Sequence, residues 1–102
     1  MVYCRYNKVV SYGWDEDKRA ANLEKHGVDF ANVRGFEWDA AIVAPDTRHP
    51  YGEDRFIAYG PMGERLYCLV FTPRGNHVRI ISFRKANRRE CQHYENETAT
   101  SD

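Results

Sequence analysis

The fold of this chain is decided between residues 55 and 83, where the sequence reads Arg55-Phe-Ile-Ala-Tyr-Gly-Pro-Met-Gly-Glu-Arg-Leu-Tyr-Cys-Leu-Val-Phe-Thr-Pro-Arg-Gly-Asn-His-Val-Arg-Ile-Ile-Ser-Phe83. Runs rich in aliphatic and aromatic residues at 55–59, 65–71 and 77–83 are separated by turns that contain glycine and proline. Apolar runs joined by short glycine-containing turns are typical of β-hairpins. The segment therefore predicts three consecutive antiparallel strands.

Two helices are predicted before these strands. Asp15 has the short polar side chain of a helix N-cap, residues 16–26 are rich in helix formers, and Gly27 is a typical C-terminal stop. Asp29 is placed to cap a second, shorter helix that extends to about residue 34. We therefore expect both helices to form in the first third of the chain.

The remaining segments are short. Strands are predicted at 9–14 and at 40–44, residues 1–8 are expected to form a loosely attached arm, and residues 97–102 a polar tail. A chain of 102 residues is large enough for one modest core and not for two. Helices followed by a run of strands favour an α+β fold, here as a single domain of residues 1–102.

Composition limits the possible functions. The chain has 15 Lys and Arg against 15 Asp and Glu, and this balance argues against nonspecific nucleic-acid binding of the histone type. No apolar run approaches the roughly 18–20 residues of a membrane helix, and the first residues lack the apolar core of a signal peptide. The odd set of three cysteines has no CxxC pair and favours reduced thiols. We expect a cytoplasmic protein with no membrane contact.

Positive charge is nevertheless concentrated at the end of the last predicted strand. Five cationic side chains fall within eleven residues there: Arg79, Arg84, Lys85, Arg88 and Arg89. Strict strand alternation places Arg79 and Arg84 on opposite faces. One interpretation is that one or both arginines hold a phosphate bidentately. The alternative is that both are long side chains at strand ends whose charged groups reach water.

Two further segments contain candidate acid–base groups. Asn87 is the predicted cap of a final helix at about 88–96, on which Glu90 and Tyr94 share one face. Glu90 is a candidate base and Tyr94 a candidate proton donor, or Glu90 pairs with a nearby cation and Tyr94 anchors the helix to the sheet. His26 lies on a polar face of the first helix, which is either simply solvated or contributes acid–base chemistry near neutral pH.

Four blocks of the sequence occur in the order and at the spacing of a known family: Trp14-Asp-Glu-Asp-Lys18, Asn22-Leu-Glu-Lys25-His26-Gly27-Val28-Asp-Phe30, Gly52-Glu-Asp-Arg55-Phe56, and Arg79-Ile-Ile-Ser-Phe-Arg84-Lys85-Ala86 with Glu90 and Tyr94. Over residues 14–95 the chain resembles the BrnT toxins of bacterial type II toxin–antitoxin pairs. Differences from the family pattern include an N-terminal extension, Pro73 in place of an acidic residue, and Phe83 in place of a small one. A bulky Phe83 beside Arg84 and Lys85 is expected to narrow the site or shift its substrate preference.

The resemblance implies a RelE-like α+β fold with two N-terminal helices, an antiparallel sheet and a C-terminal helix. It also implies a cytoplasmic ribonuclease that arrests translation, acts on RNA and uses no cofactor. A BrnA-like antitoxin would neutralise the toxin and bind DNA, so that the complex represses its own operon.

Metal-independent RNA cleavage needs a base for the 2′-hydroxyl, cations for the charge that develops on phosphorus, and an acid for the leaving oxygen. We predict that the site is formed by eight residues: Lys25, His26, Arg55, Arg79, Arg84, Lys85, Glu90 and Tyr94. The arginines hold the phosphate and the lysines assist. His26 or Glu90 is the base, and Tyr94 or His26 is the acid.

Other functions are also considered. The same cations suit a non-catalytic binding module that grips an acidic segment of a protein partner. Direct binding to operator DNA is disfavoured by the zero net charge and by the lack of a helix-turn-helix pattern. The histidines and cysteines show none of the spacings that are typical of metal ligands, so the sequence predicts no metal site.

Overall fold

The computed structural model describes residues 11–48, 50 and 52–99, and these form an α+β fold. Its elements in chain order are β1 (Ser11–Gly13), α1 (Glu16–His26), two 3-10 helices (Phe30–Gly35 and Trp38–Ala40), β2 (Ile42–Pro45), β3 (Phe56–Met62), β4 (Arg65–Arg74), β5 (His77–Lys85) and α2 (Arg88–Ala99). None of the helices in this described part is long and apolar enough to cross a membrane.

The five strands form one sheet in the order β1-β5-β4-β3-β2. The predicted meander of three antiparallel strands is confirmed as β3, β4 and β5, and β2 adds to it antiparallel to β3. The sheet is mixed rather than fully antiparallel, because β1 pairs parallel with β5 through only three residue pairs. This pairing joins residues that are far apart in the chain and has no local sequence signal.

The second predicted helix is a 3-10 helix, Phe30–Gly35. Asp29 caps it as expected, accepting a hydrogen bond from the Ala31 amide at 2.9 Å. Phe30 and Val33 are both fully buried. Residues three apart are eclipsed on a 3-10 helix, so this tighter winding turns both side chains into the core.

The two α-helices begin where their caps were predicted. Asp15 accepts from the Asp17 amide at 2.8 Å, and Gly27 ends α1 with a left-handed φ of 72°. Asn87 starts α2, which extends to Ala99 and so includes part of the predicted polar tail.

Other predictions concern the ends of the chain and the first strand. The strand expected at 9–14 is observed at residues 11–13. Residues 9 and 10, the predicted arm at 1–8 and residues 100–102 lie outside the described residues.

The hydrophobic core lies between one face of the sheet and the segment 28–38, which contains the first 3-10 helix. Its largest fully buried side chains are Phe30, Phe83, Leu69, Ile80 and Val33. Aromatic rings meet edge-to-face in it, with 5.0 Å between the centroids of Phe36 and Trp38. The opposite face of the sheet is therefore the one that is available to polar side chains.

The position of α1 is fixed by a buried asparagine. Asn22 donates to the carbonyl oxygen of Phe83 at 2.7 Å and accepts from the amide of the same residue at 3.3 Å. It also donates to the carbonyl oxygen of Val28 at 3.0 Å. Because β1 pairs with β5 only up to Arg79, Asn22 replaces a neighbouring strand at the uncovered edge of β5. This holds the C-terminal end of α1 beside the end of β5.

Candidate active site

A β-bulge interrupts the alternation of side chains in β5. Phe71 of β4 pairs with Ile80, but the preceding Val70 pairs with Ser82, which leaves Ile81 as an extra residue. Two residues on one strand opposite one on the other is the defining feature of a bulge. After Ile81, each side chain of β5 therefore lies on the face of the sheet opposite to the one that uninterrupted alternation predicts.

The bulge places Arg79 and Arg84 on the same face of the sheet. Arg79 pairs with Thr72 and Arg84 with Cys68, both of which alternate with the core-facing residues of β4. The prediction of opposite faces is wrong because it assumed uninterrupted alternation. No signal within β5 itself marks the bulge, which depends on the pairing with β4.

Phe83 lies on the core side and not in the site. Its side chain is fully buried, and its ring contacts those of Phe36 and Tyr67 at centroid distances of 6.2 and 5.4 Å. The expectation that Phe83 narrows the site beside Arg84 is therefore wrong. The residue adds volume to the core instead.

Arg84 forms a bidentate ion pair with Glu90. Two guanidinium N–H groups of Arg84 donate to the two carboxylate oxygens at 2.9 and 2.8 Å. The pair connects the end of β5 to the first turn of α2, and the two side chains are only 28% and 16% exposed. Its geometry is the planar fork that also suits phosphate.

Glu90 has a second structural role at the start of α2. It accepts from the Asn87 amide at 2.9 Å, while the Asn87 side chain accepts from the Glu90 amide at 2.8 Å. This reciprocal arrangement is a capping box. The hydrogen bonds from Arg84 are the largest of the effects that hold the pKa of Glu90 below its ordinary value. Glu90 is therefore a stable carboxylate with little tendency to take up a proton.

The charge of Arg84 also acts on His26. Its pKa is lowered, first by partial burial and then by the positive charges of Lys25 and Arg84. The end of α1 and the end of β5 thus form one cationic region that favours a neutral imidazole. Lys25 and Lys85 are exposed at this region, and neither has an ion pair within the described part of the chain.

Arg55 and Arg79 lie on either side of β4 at the other end of the sheet. Arg55 precedes β3 and donates to Glu53 at 3.0 Å. The neighbouring Asp54 carbonyl oxygen accepts from Thr72, the strand partner of Arg79. Arg79 and Arg84 are five residues apart on β5, or roughly 15 Å at the usual rise per residue. The structure therefore separates the predicted phosphate ligands into two groups.

Tyr94 belongs to neither group. Its hydroxyl donates to the carbonyl oxygen of Ala40, just before β2. The neighbouring His93 ring meets Tyr59 of β3 edge-to-face at a centroid distance of 6.0 Å. These contacts dock α2 across the face of the sheet that carries Arg84, as in the anchoring alternative for Tyr94.

Residues that were not predicted also contribute to this face. Arg48 donates twice to Asp46, whose side chain is fully buried, and its charge acts on both Tyr59 and Glu90. Burial raises the pKa of the Cys68 thiol to about 11. Arg48 follows a short strand in a segment dense in turn residues, and nothing in the sequence distinguishes it from a solvated cation.

The region around Arg84 is thus a partly buried face with several cations, a histidine whose pKa is lowered, and the paired carboxylates of Glu90 and Asp46. Such a region can bind an anion and accept a proton. Across residues 11–48, 50 and 52–99, no group of three His, Cys, Asp or Glu side chains is placed to hold a metal ion.

Comparison with known proteins identifies the family to which this region belongs. No curated protein matches the chain. Residues 14–90, well over half of the chain, match the family described as ribonuclease toxin, BrnT, of type II toxin–antitoxin system. The matched range contains α1, the strands β2 to β5 and the Arg84–Glu90 pair. The chain therefore belongs to the BrnT family of ribonuclease toxins.

Proposed function

We propose that the chain is a metal-independent endoribonuclease whose catalytic centre is the cationic region at the ends of α1 and β5. The observation that carries this proposal is that Asn22 holds the end of α1 beside the end of β5. The pKa of His26 is lowered there by partial burial and by the charges of Lys25 and Arg84. The RNA 2′-hydroxyl is the nucleophile, so the products carry a 2′,3′-cyclic phosphate. Cleavage of messenger RNA would arrest translation.

The cations have different roles in this mechanism. Arg84, whose charge acts on His26, stabilises the charge that develops on the scissile phosphate, assisted by Lys25 and Lys85. Arg55 and Arg79, at the other end of the sheet, hold a flanking phosphate. The first group therefore acts on the transition state, and the second acts mainly on substrate binding.

His26 is the better base of the two candidates. A general base works best with a pKa near the working pH, and a neutral imidazole is ready to accept the proton of the 2′-hydroxyl. Glu90 is less suited because Arg84 and Asn87 already stabilise its charged form. Tyr94 acts as the acid only if its hydrogen bond to Ala40 opens.

Cleavage of naked RNA in the presence of EDTA, followed by analysis of the product ends, tests the proposal. We expect cyclic phosphate ends, a fall in kcat of roughly 10²–10⁴-fold for His26→Gln and of roughly 10²–10³-fold for Arg84→Ala. Arg79→Ala should raise KM and leave kcat nearly unchanged. If the Arg79→Ala and Arg84→Ala proteins both keep the kcat and the KM of the parent, the assignment of these arginines to phosphate binding is wrong. Loss of cleavage in EDTA, restored by a divalent cation, contradicts the metal-independent mechanism.

The protein partner in this proposal is a BrnA-like antitoxin. It covers the cationic region, neutralises the toxin and brings it to operator DNA, where the complex represses its operon. Growth should stop when this chain is expressed alone and resume when an adjacent ribbon-helix-helix reading frame is expressed with it. An operator fragment should be retarded by the complex and not by this chain alone.

A second candidate function is a non-catalytic module that grips an acidic protein. It is favoured by one observation, that Arg84 already holds a carboxylate bidentately. Growth arrest that persists in a variant unable to cut RNA in vitro would support this function over catalysis.

A further inference from the structure

The outer face of α2 carries charge that the proposed catalytic centre does not use. A shallow groove there is lined by Asn87, Arg88, Arg89, Gln92, His93 and Asn96. At 100° per residue Arg88, Arg89, Gln92 and Asn96 fall within a sector of about 100°, away from the docked Glu90 and Tyr94. Asn87 lies at the helix start and His93 at the border of this sector, where its ring also meets Tyr59. We call this face the α2 stripe. The acidic residues of α2 do not line it.

Among the residues that the structure describes, the two arginines of the stripe have no acidic partner. Arg88 and Arg89 are exposed, and no ion pair to either occurs among residues 11–48, 50 and 52–99. Some cations of this neutral chain are neutralised locally, as Arg19 is by Glu16 and Asp29, whereas no described residue does this for Arg88 or Arg89. The two charges of the stripe therefore remain available to an external anion.

The position of these arginines opposes helix stability. They occupy the first turn of α2, where the helix dipole favours acidic residues. In α1 the first turn contains Glu16 and Asp17, as that rule predicts, whereas in α2 Glu90 shares the first turn with the two arginines. Folding alone gives no reason for two cations at this position, whereas binding of an anion does.

The remainder of the stripe suits a nucleic acid better than a protein. Gln92 and Asn96 extend it along the helix with side-chain amides, which contact phosphates, sugars and base edges. An acidic protein segment would gain most from apolar or aromatic anchors in a pocket. No aliphatic side chain lines this groove.

We propose that the α2 stripe binds the backbone of single-stranded RNA next to the catalytic centre. The proposal rests on the ribonuclease function above and extends its substrate path. Arg88 and Arg89 hold successive phosphates of the strand that passes Arg84 and Lys85. Gln92 and Asn96 contact its sugars or bases. The stripe raises affinity and carries no chemistry.

The test is the salt dependence of RNA binding. The probe is a fluorescein-labelled single-stranded RNA that is fully 2′-O-methylated and so lacks the nucleophile. Each phosphate contact to a single strand contributes about −0.7 to the slope of log K against log salt, so Arg88→Gln/Arg89→Gln should reduce the slope by about 1.4. Arg88→Lys/Arg89→Lys keeps the charge and should keep the slope.

A matched control removes two exposed charges elsewhere, Lys18→Gln/Arg34→Gln, and should leave the slope at the parent value. Circular dichroism establishes that each variant is folded. The inference is overturned if the Arg88→Gln/Arg89→Gln protein has the slope and Kd of the parent. It is also overturned if this protein binds RNA normally and loses affinity only for a polyglutamate peptide, since the stripe then serves an acidic protein.

The cleavage assay on unmodified RNA separates this inference from the function on which it rests. If the parent protein cleaves RNA and replacing Arg88 and Arg89 does not change the salt slope of RNA binding, only this inference is overturned. Parent protein that binds through the stripe and cuts nothing overturns the ribonuclease proposal alone. Parent protein that neither cuts nor binds RNA overturns both.

Discussion

At the scale of single residues, the ion pair between Arg84 and Glu90 serves both stability and function. Each side chain is less than one-third exposed. Pairs at the surface contribute about 0.2–1 kcal/mol, and breaking a buried pair costs about 3–5 kcal/mol. This pair lies between these cases. Because Gln also forms a capping box, Glu90→Gln removes the charge and keeps the cap.

We expect Glu90→Gln to lower the free energy of unfolding by about 1–2 kcal/mol at neutral pH, between the surface and buried cases. The folded state holds the pKa of Glu90 below 4.5, so its contribution is present above that pH. It is lost as the pH falls through the lower pKa of the folded state. Urea unfolding of parent and variant from pH 7 to pH 3 should therefore show the difference shrinking with acid.

The control for this prediction is Glu95→Gln, on an exposed part of the same helix, which should change stability by less than about 0.5 kcal/mol. A difference for Glu90→Gln that is as large at pH 3 as at pH 7 would contradict the electrostatic explanation. RNA cleavage by Glu90→Gln at a rate near that of the parent would support His26 as the base.

At the scale of elements, the register between α1 and β5 depends on Asn22. This side chain satisfies the amide and carbonyl of Phe83 and the carbonyl of Val28 in a buried position. It also determines where the end of α1, with His26, lies relative to Arg84. A residue on the polar face of α1 is thus structural, a role that depends on its contacts with the distant Phe83.

Replacing Asn22 by Leu should lower the free energy of unfolding by about 2–4 kcal/mol, because each buried unsatisfied polar group costs about 1–3 kcal/mol. Asn22→Asp keeps the acceptor and loses the donor, so its cost should also be substantial. Asn32→Ala, an exposed change in the first 3-10 helix, should cost less than about 0.5 kcal/mol. Equal denaturation midpoints for Asn22→Leu and Asn32→Ala would contradict the role assigned to Asn22.

The elements that could be predicted are those that local chemistry determines. Asp15, Gly27 and Asn87 mark helix ends through contacts within a few residues, and the hairpins follow from their turns. The parallel pairing of β1 and the bulge at Ile81 depend on residues distant in the chain. The faces of Arg79 and Arg84 depend on that bulge, so the shape of the candidate site could not be predicted in full.

At the scale of the whole molecule, the core and the candidate site lie on opposite faces of one sheet. The core between the sheet and the segment 28–38 is rich in aromatic rings, including Phe36, Trp38, Phe71 and Phe83. Phe83 lies next to Arg84 in sequence, and its side chain is on the other side of the sheet. A change in the core at this position should therefore affect stability and leave the chemistry of the site unchanged.

Phe83→Ala should cost about 3–5 kcal/mol, a large part of the roughly 5–15 kcal/mol that stabilises a typical domain. Phe83→Leu is the more informative variant, because it is close to a volume-conserving change, which usually costs less than about 1.5 kcal/mol. Each kcal/mol should lower Tm by roughly 4–8 °C. Leu23→Ala, at an exposed apolar side chain on α1, is the matched control and should change Tm much less. Well below Tm, the cleavage rate and base preference of Phe83→Leu should equal those of the parent. An altered base preference at unchanged stability would place Phe83 in the substrate path, contrary to its position in the core.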